Sequence, residues 1–254
     1  MTTTTTDYSS AQRGVALLSG ALCHLSFAAG VGLMIWGLHE GLRSGLGPFR
    51  GGAALLANAL LLAQFPLLHS WLLGPRGARV LARLVPLGLG KDLSTTTFAT
   101  LSSLQIGLVF LLWSPSGGEG WAPTGALRGG WELVYGLSWL AVVKTMGDAG
   151  LGTQMGWLGW VAVARGQRPR YGSFPREGSF RYCRQPIYLS FALTLWTGPV
   201  WTADRVLLAL FWTAYCYLGP RLKEQRYLGR YGEDFRRYQE EVPYFLPARA
   251  GERS

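Results

Sequence analysis

Residues 14–38 run for 25 positions with His24 as the only possible charge. A stretch of that length crosses a hydrocarbon core of ~30 Å as one helix. In lipid every backbone polar group must be satisfied inside the structure, and helices do this within a single segment. Composition agrees: charged residues are 15% of the chain, against ~25% in soluble domains. With 11 Trp and a mean hydropathy of +0.17, the 254 residues read as one polytopic membrane domain, not the one or two soluble domains that such a length allows. The net charge of +10 sits in short loops between apolar runs. Its expected partner is therefore the anionic cytoplasmic leaflet and not nucleic acid. Cys23, Cys183 and Cys216 show neither a paired nor a metal-ligand spacing and read as small buried hydrophobes.

Taken in order, the Thr-rich start lacks the basic residues of a secretory signal, so the first run is expected to remain as a membrane helix. Residues 51–74 form the second span, punctuated by Asn58, Gln64, Pro66, His69 and Ser70. Polar groups there are expected to face the bundle or a cavity. His69 has two readings, a packing residue beside a Pro-bent turn or a member of the site. The loop 75–92 carries Arg76, Arg79, Arg83 and Lys91 and is cytoplasmic by the positive-inside rule. Residues 97–113 make a third span with Ser102, Ser103 and Gln105 as small polar packing positions. Trp113, Trp121 and Trp131 suggest an interfacial aromatic belt, and 131–146 is the fourth span.

From Arg165 the chain turns basic and irregular. It then reads G-S-F-R-Y-C-R-Q-P-I-Y from Gly178, and later K-E-Q-R-Y-L-G-R-Y-G-E-D-F-R-R-Y from Lys223. Between these polar clusters, 187–197 and 206–219 are two apolar arms, each nearer a half-span than a crossing. A hairpin that enters the bilayer and returns brings both clusters to one face. Tyr227, Leu228, Tyr231, Phe235 and Tyr238 recur at helical spacing, describing a helix that lies on the membrane or packs on the preceding loop. Arg184, Gln185, Tyr188, Glu224, Arg226, Tyr231 and Tyr238 thus gather beside the hairpin. They offer a cation for a carboxylate, a carboxylate for a cationic centre, aromatic faces and a hydrogen-bonding amide. S-adenosylmethionine fits that description.

At these residues the chain resembles the membrane-embedded methyltransferase superfamily that includes isoprenylcysteine carboxyl methyltransferases and phospholipid methyltransferases. The pattern G-x-Y-x-x-x-R-H-P-x-Y stands here as Gly178, Phe180, Arg184, Gln185, Pro186 and Tyr188. Its second half stands as Lys223-Glu224, Tyr231-Gly232, Phe235, Tyr238, Val242-Pro243 and Pro247. Gln185 occupies the pattern's His position, and Lys223 occupies that of the first Glu. Upstream, His69-Ser70, Leu101 to Ser103, Trp113 to Pro115 and the run L-W-T-G-P-V-W-T from Leu195 look like bacterial methanethiol S-methyltransferases and NnrU-like proteins.

The resemblance implies an all-α transmembrane bundle of four full spans plus a C-terminal helical hairpin, with a cytoplasmic cofactor-binding segment. The expected divisions are a disordered tail at 1–13, the bundle at 14–177, the cofactor segment at 178–247 and a second tail at 248–254. Both termini are expected in the cytoplasm of a bacterial inner membrane. His69, Arg184 and Glu224 are the expected catalytic residues. Arg184, Gln185, Pro186, Tyr188, Glu224, Tyr231 and Tyr238 are expected to hold S-adenosylmethionine, with no metal and no protein partner. For Lys223, Arg230 and Arg237 the reading is instead a charged surface reaching lipid headgroups. The expected acceptor is a small hydrophobic thiol, which must react as a thiolate; His69, Arg184 and Lys144 are candidates to stabilise it. Carboxyl methylation of a prenylated cysteine, methylation of another lipidic acceptor, and a non-enzymatic NnrU-like membrane protein remain open.

Overall fold

The computed structural model describes residues 7–246. The tail expected at 248–254 lies outside them, as do the first six residues of the one expected at 1–13. Among the described residues the protein is all-α: α1 (Ser10–His39), α2 (Gly51–Leu72), α3 (Pro75–Arg83), α4 (Ser94–Leu111), α5 (Gly125–Asp148), α6 (Leu151–Gln154), α7 (Trp157–Ala164), α8 (Pro186–Thr197), α9 (Ala203–Tyr231) and α10 (Glu233–Glu241), with a 3-10 turn at Gly178–Arg181. By length and composition α1, α2 and α4 can each cross a membrane. The chain divides into two compact units. The first draws on Met1–Gly37, Ser44–Ser116 and Leu151–Gly172, and the second on Leu38–Arg43, Gly117–Gly150 and Ser173–Ser254.

In the first unit the polar residues of apolar helices bond inward, as expected. Asn58 on α2 donates to the Ser114 carbonyl at 2.8 Å and accepts from its amide at 2.9 Å. Gln64 donates to the Gln105 carbonyl at 3.0 Å, and Gln105 returns a bond to Gln64 Oε1 at 3.1 Å. The hydroxyls of Thr97, Thr100 and Ser103 bond carbonyls four residues back along α4, which lets a Thr-rich helix sit in apolar surroundings. At Gly30 a Cβ would run into the Ser103 carbonyl, so α1 and α4 approach at backbone distance there. Two expectations are corrected. The loop 75–92 contains α3, because Pro75 can open a helix and Leu81 gives it a face to bury. Trp113 is fully buried and not part of an interfacial belt.

In the second unit α5 packs on α8, and α8 packs on α9. The expected hairpin is present as α8 and α9, but its second arm does not end at Gly219. α9 is a 29-residue helix that passes through Pro220 and reaches Tyr231. Arg205, fully buried at its start, donates to the carbonyls of Leu195 (3.0 Å), Val200 (2.8 Å) and Gly198, and its guanidinium lies 4.5 Å from the Trp201 ring centroid. The last turn of α8 and the connection to α9 thereby find donors that the backbone cannot supply. Thr202 caps α9, accepting from the Arg205 amide at 3.1 Å, and Trp121 and Trp201 exchange two 2.8 Å backbone bonds. Replacing Arg205 with Met leaves the Leu195 and Val200 carbonyls without their side-chain donor, while Gly198 keeps the Trp131 indole N–H at 3.0 Å. The expected loss is about 3 kcal/mol or more, read as a lower thermal midpoint of detergent-purified protein, with Arg205→Lys recovering part. An unchanged midpoint would mean that the turn holds without it.

Candidate functional site

The polar clusters flanking the hairpin meet within the second unit. Gly178, at φ +60°, starts the 3-10 turn and has no room for a Cβ against the Asp148 carboxylate, which accepts from the Ser179 amide at 2.7 Å. The turn delivers Arg184 and Gln185 immediately before Pro186 opens α8. Beyond Pro220, α9 carries Lys223, Glu224 and Tyr227; Gly232, at φ +55°, breaks the helix and α10 brings Tyr238 and Gln239 back. The Arg184 amide bonds the Pro243 carbonyl at 3.0 Å, joining the segment before α8 to the chain after α10.

Glu224 is the hub of the cluster. Its Oε1 accepts from Arg184 Nε at 2.8 Å and from Gln185 Nε2 at 2.7 Å, and its Oε2 from Gln239 Nε2 at 2.7 Å and Arg184 Nη2 at 3.3 Å. Arg184 Nη1 donates to the carbonyls of Gln239 (2.7 Å) and Val242 (2.5 Å). The ion pair is almost fully enclosed, at 11% and 9% side-chain exposure, so every bond counts at more than its surface worth. Gln185 is 1% exposed, and among the described residues its Oε1 has no hydrogen-bond donor.

Beside this cluster is a cleft lined by Arg184, Gln185 and Lys223 together with Phe174, Phe180, Tyr227, Phe235 and Tyr238. It encloses about 10 Å³, room for no more than one water. Phe174 packs among these rings, its ring centroid 5.0 Å from those of Tyr231 and Phe235 and 5.4 Å from that of Tyr238. The Tyr238 hydroxyl donates to the Phe180 carbonyl at 2.7 Å, and burial raises its pKa. Burial likewise pushes up the Cys183 thiol, which donates to the Phe245 carbonyl at 2.9 Å; at neutral pH it is a packed thiol and not a nucleophile. A larger cavity of about 500 Å³ belongs to the first unit, with Trp157 and Val161 on its apolar wall and Arg165, Arg168 and Arg170 among its lining residues.

Of the residues singled out in the sequence, Arg184, Gln185, Glu224 and Tyr238 are thus brought together. Pro186 is buried at the head of α8, Tyr188 lies beneath Lys223 at 5.4 Å, and Tyr231 packs on Phe174. His69 belongs to the first unit, where Nδ1 is 3.1 Å from Ser102 Oγ and the ring packs against Phe65 and Phe98. Lys144 is paired with Asp148 at 2.5 Å. The surface reading of Lys223 is corrected: its ammonium is half-buried over the rings of Tyr188 and Tyr227, and among the described residues it has no hydrogen-bond acceptor or ion-pair partner. Arg237 pairs with Asp234 at 2.5 Å. Gln239 and Phe174 escaped sequence reasoning. Gln239 leaves no local signal because its partner lies 15 positions away, whereas an aromatic ring inside an Arg-rich segment was a signal available at Phe174.

Burial lowers the Lys223 pKa to about 8, against an upward pull from Glu224. The charged form is the one disfavoured, so the neutral amine gains as pH rises through that value. An amine-selective acylating reagent, followed by mass spectrometry of the Lys223 peptide, is expected to show labelling that rises with a midpoint at about pH 8.

No family model and no solved structure matches the chain. Among curated proteins it is 29% identical over 204 residues to methanethiol S-methyltransferase 2 of Bradyrhizobium diazoefficiens, covering 79% of this chain and 76% of that one. It is 27% identical over 234 residues to a methanethiol S-methyltransferase of a Pseudomonas species, covering 90% and 85%. A match to Nurim of Xenopus laevis, 30% identical over 136 residues, covers 50% and 47%. Over most of its length, then, the chain is a homologue of proteins named methanethiol S-methyltransferase, consistent with the superfamily that its paired polar motif resembles.

Proposed function

We propose that the protein is an integral membrane methyltransferase that moves a methyl group from S-adenosylmethionine to a small hydrophobic thiol, giving a thioether. The observation that carries this reading is the buried Arg184–Glu224 pair, closed by Gln185 and Gln239 beside a ring-lined cleft, within the motif that resembles the superfamily. The names of the curated relatives support a thiol as the acceptor.

The residues at the cleft suit the cofactor chemically. Lys223 offers a cation for a carboxylate, Gln185 Oε1 an unmatched acceptor, and Tyr227, Phe235 and Tyr238 faces for a sulfonium or a purine. When bound, the cofactor supplies a methyl group already activated on sulfur. What remains for the chain is positioning and exclusion of water, worth up to ~7–11 kcal/mol in favourable cases. Arg184 and Glu224 serve as positioning residues, holding the segment before α8 against α9 so that Gln185 and Lys223 face one cleft. With about 10 Å³ enclosed, a ligand of nucleoside size enters only if Phe174 gives way.

In this reading α5 makes a fourth crossing in addition to those of α1, α2 and α4, the α8–α9 hairpin dips into the bilayer, and residues 178–247 form a cytoplasmic cofactor segment. Both termini then lie in the cytoplasm of a bacterial inner membrane. The thiol arrives from the lipid and the cofactor from water.

Membranes incubated with methyl-labelled S-adenosylmethionine and a panel of thiols, prenylcysteines and phospholipid amines are expected to yield label in a volatile or organic-extractable thioether. Transfer to a carboxylate alone would refute the thiol assignment. Glu224→Ala leaves the Arg184 charge buried and unpaired at a cost of about 3–5 kcal/mol; the expected result is lost transfer with a lowered thermal midpoint. If folded, detergent-purified protein shows no heat of S-adenosylmethionine binding by titration calorimetry, a non-enzymatic membrane protein is the reading that stands.

A further inference from the structure

Two polar groups at the cleft are left over once the cluster around Glu224 is complete. Gln185 places its amide nitrogen 2.7 Å from Glu224 Oε1, an arrangement that sets the amide's orientation, since its carbonyl oxygen there would face a carboxylate. Its Oε1 is therefore an acceptor by construction, buried and unmatched. Lys223 is the second: a half-buried ammonium stacked over Tyr188 and Tyr227 that makes no ion-pair contact among the described residues and feels Glu224, already shared with Arg184, only at longer range. Arg184 is not a third. Glu224 neutralises it, and its remaining donors point at the carbonyls of Gln239 and Val242.

The two leftovers ask for opposite things from one ligand. A carboxylate alone answers Lys223 and leaves Gln185 Oε1 unmatched. An amine alone answers Gln185 and meets the Lys223 charge. A group bearing an ammonium and a carboxylate on neighbouring atoms answers both. We infer that the cleft is the receptor for the zwitterionic amino-acid end of its ligand, with the carboxylate at Lys223 and the ammonium at Gln185 Oε1. This rests on the S-adenosylmethionine reading and adds to it which end of the molecule the cleft takes. It also moves the carboxylate contact from Arg184, where the sequence suggested it, to Lys223. Gln185 and Lys223 stand where the pattern it resembles has a His and a Glu, and together they supply one acceptor and one cation to a single recess.

Titration calorimetry on the folded, detergent-purified full chain tests this with S-adenosylhomocysteine, decarboxylated S-adenosylmethionine and 5′-methylthioadenosine, which lacks the amino-acid end. Wild type is expected to bind S-adenosylhomocysteine about tenfold or more tighter than either of the other two. Lys223→Met and Gln185→Leu are each expected to remove most of that advantage and leave 5′-methylthioadenosine affinity within about twofold. The comparison of ligands on wild type needs no variant to fold. Equal binding of all three, or an advantage undiminished in folded Lys223→Met, overturns the inference while leaving the cofactor reading in place. Binding of none overturns both.

Discussion

The second unit is organised around one buried carboxylate. Glu224 receives four hydrogen bonds from three residues: Arg184, Gln185 and Gln239. Removing an ion pair from water costs several kcal/mol per ion, and apolar side chains of similar volume often serve stability as well. Apolar packing, however, tolerates sliding, whereas a carboxylate that must meet an arginine fork and two amides tolerates one register. The segment before α8, the far end of α9 and the start of the chain after α10 are thereby held in a single relation, and the aromatic cluster of Phe174, Phe235, Tyr238 and Val242 packs on that frame.

The same device appears at the other end of the hairpin. Arg205 sits at the turn between α8 and α9 and bonds three main-chain carbonyls, while Arg184 sits at the hairpin's base and bonds two. In both places a guanidinium reaches several acceptors at fixed angles, which a lysine ammonium does not reproduce. The difference lies in the counter-charge. Arg205 is stacked on Trp201 and served by carbonyl dipoles, whereas Arg184 has Glu224. The turn is thus a structural cap, and the base is a charged cluster beside a cleft.

Much of this was legible in the sequence. Long apolar runs gave α1, α2 and α4, and the cost of a bare amide in lipid foretold that Asn58 and Gln64 would bond inward. The meeting of Arg184 with Glu224 followed from a hairpin that returns to its starting face. Other features depend on contacts that no local pattern contains. Proline rules end a helix near Pro220, yet packing of α9 on α8 carries it through. Lys223 stands among charged neighbours that reach solvent, so its sequence surroundings suggest a surface; only the rings of Tyr188 and Tyr227 beneath it reveal a half-buried cation. Trp113 reads as an interfacial residue from its place at the end of an apolar run, but the fold covers it completely. Phe174 passed unread in the sequence, and its four ring partners, Tyr227, Tyr231, Phe235 and Tyr238, emerge only in the fold.

The unbroken course of α9 has a mechanical side. Arg205 and Glu224 lie on one helix, separated by about 28 Å at 1.5 Å per residue. The turn before α9 and the polar cluster are joined by a single stiff rod, with Pro220 inside it as a point of compliance. Under the proposed topology, a bilayer that thins or thickens around the turn tilts the same helix that carries Glu224, with Pro220 a place where a bend is taken up.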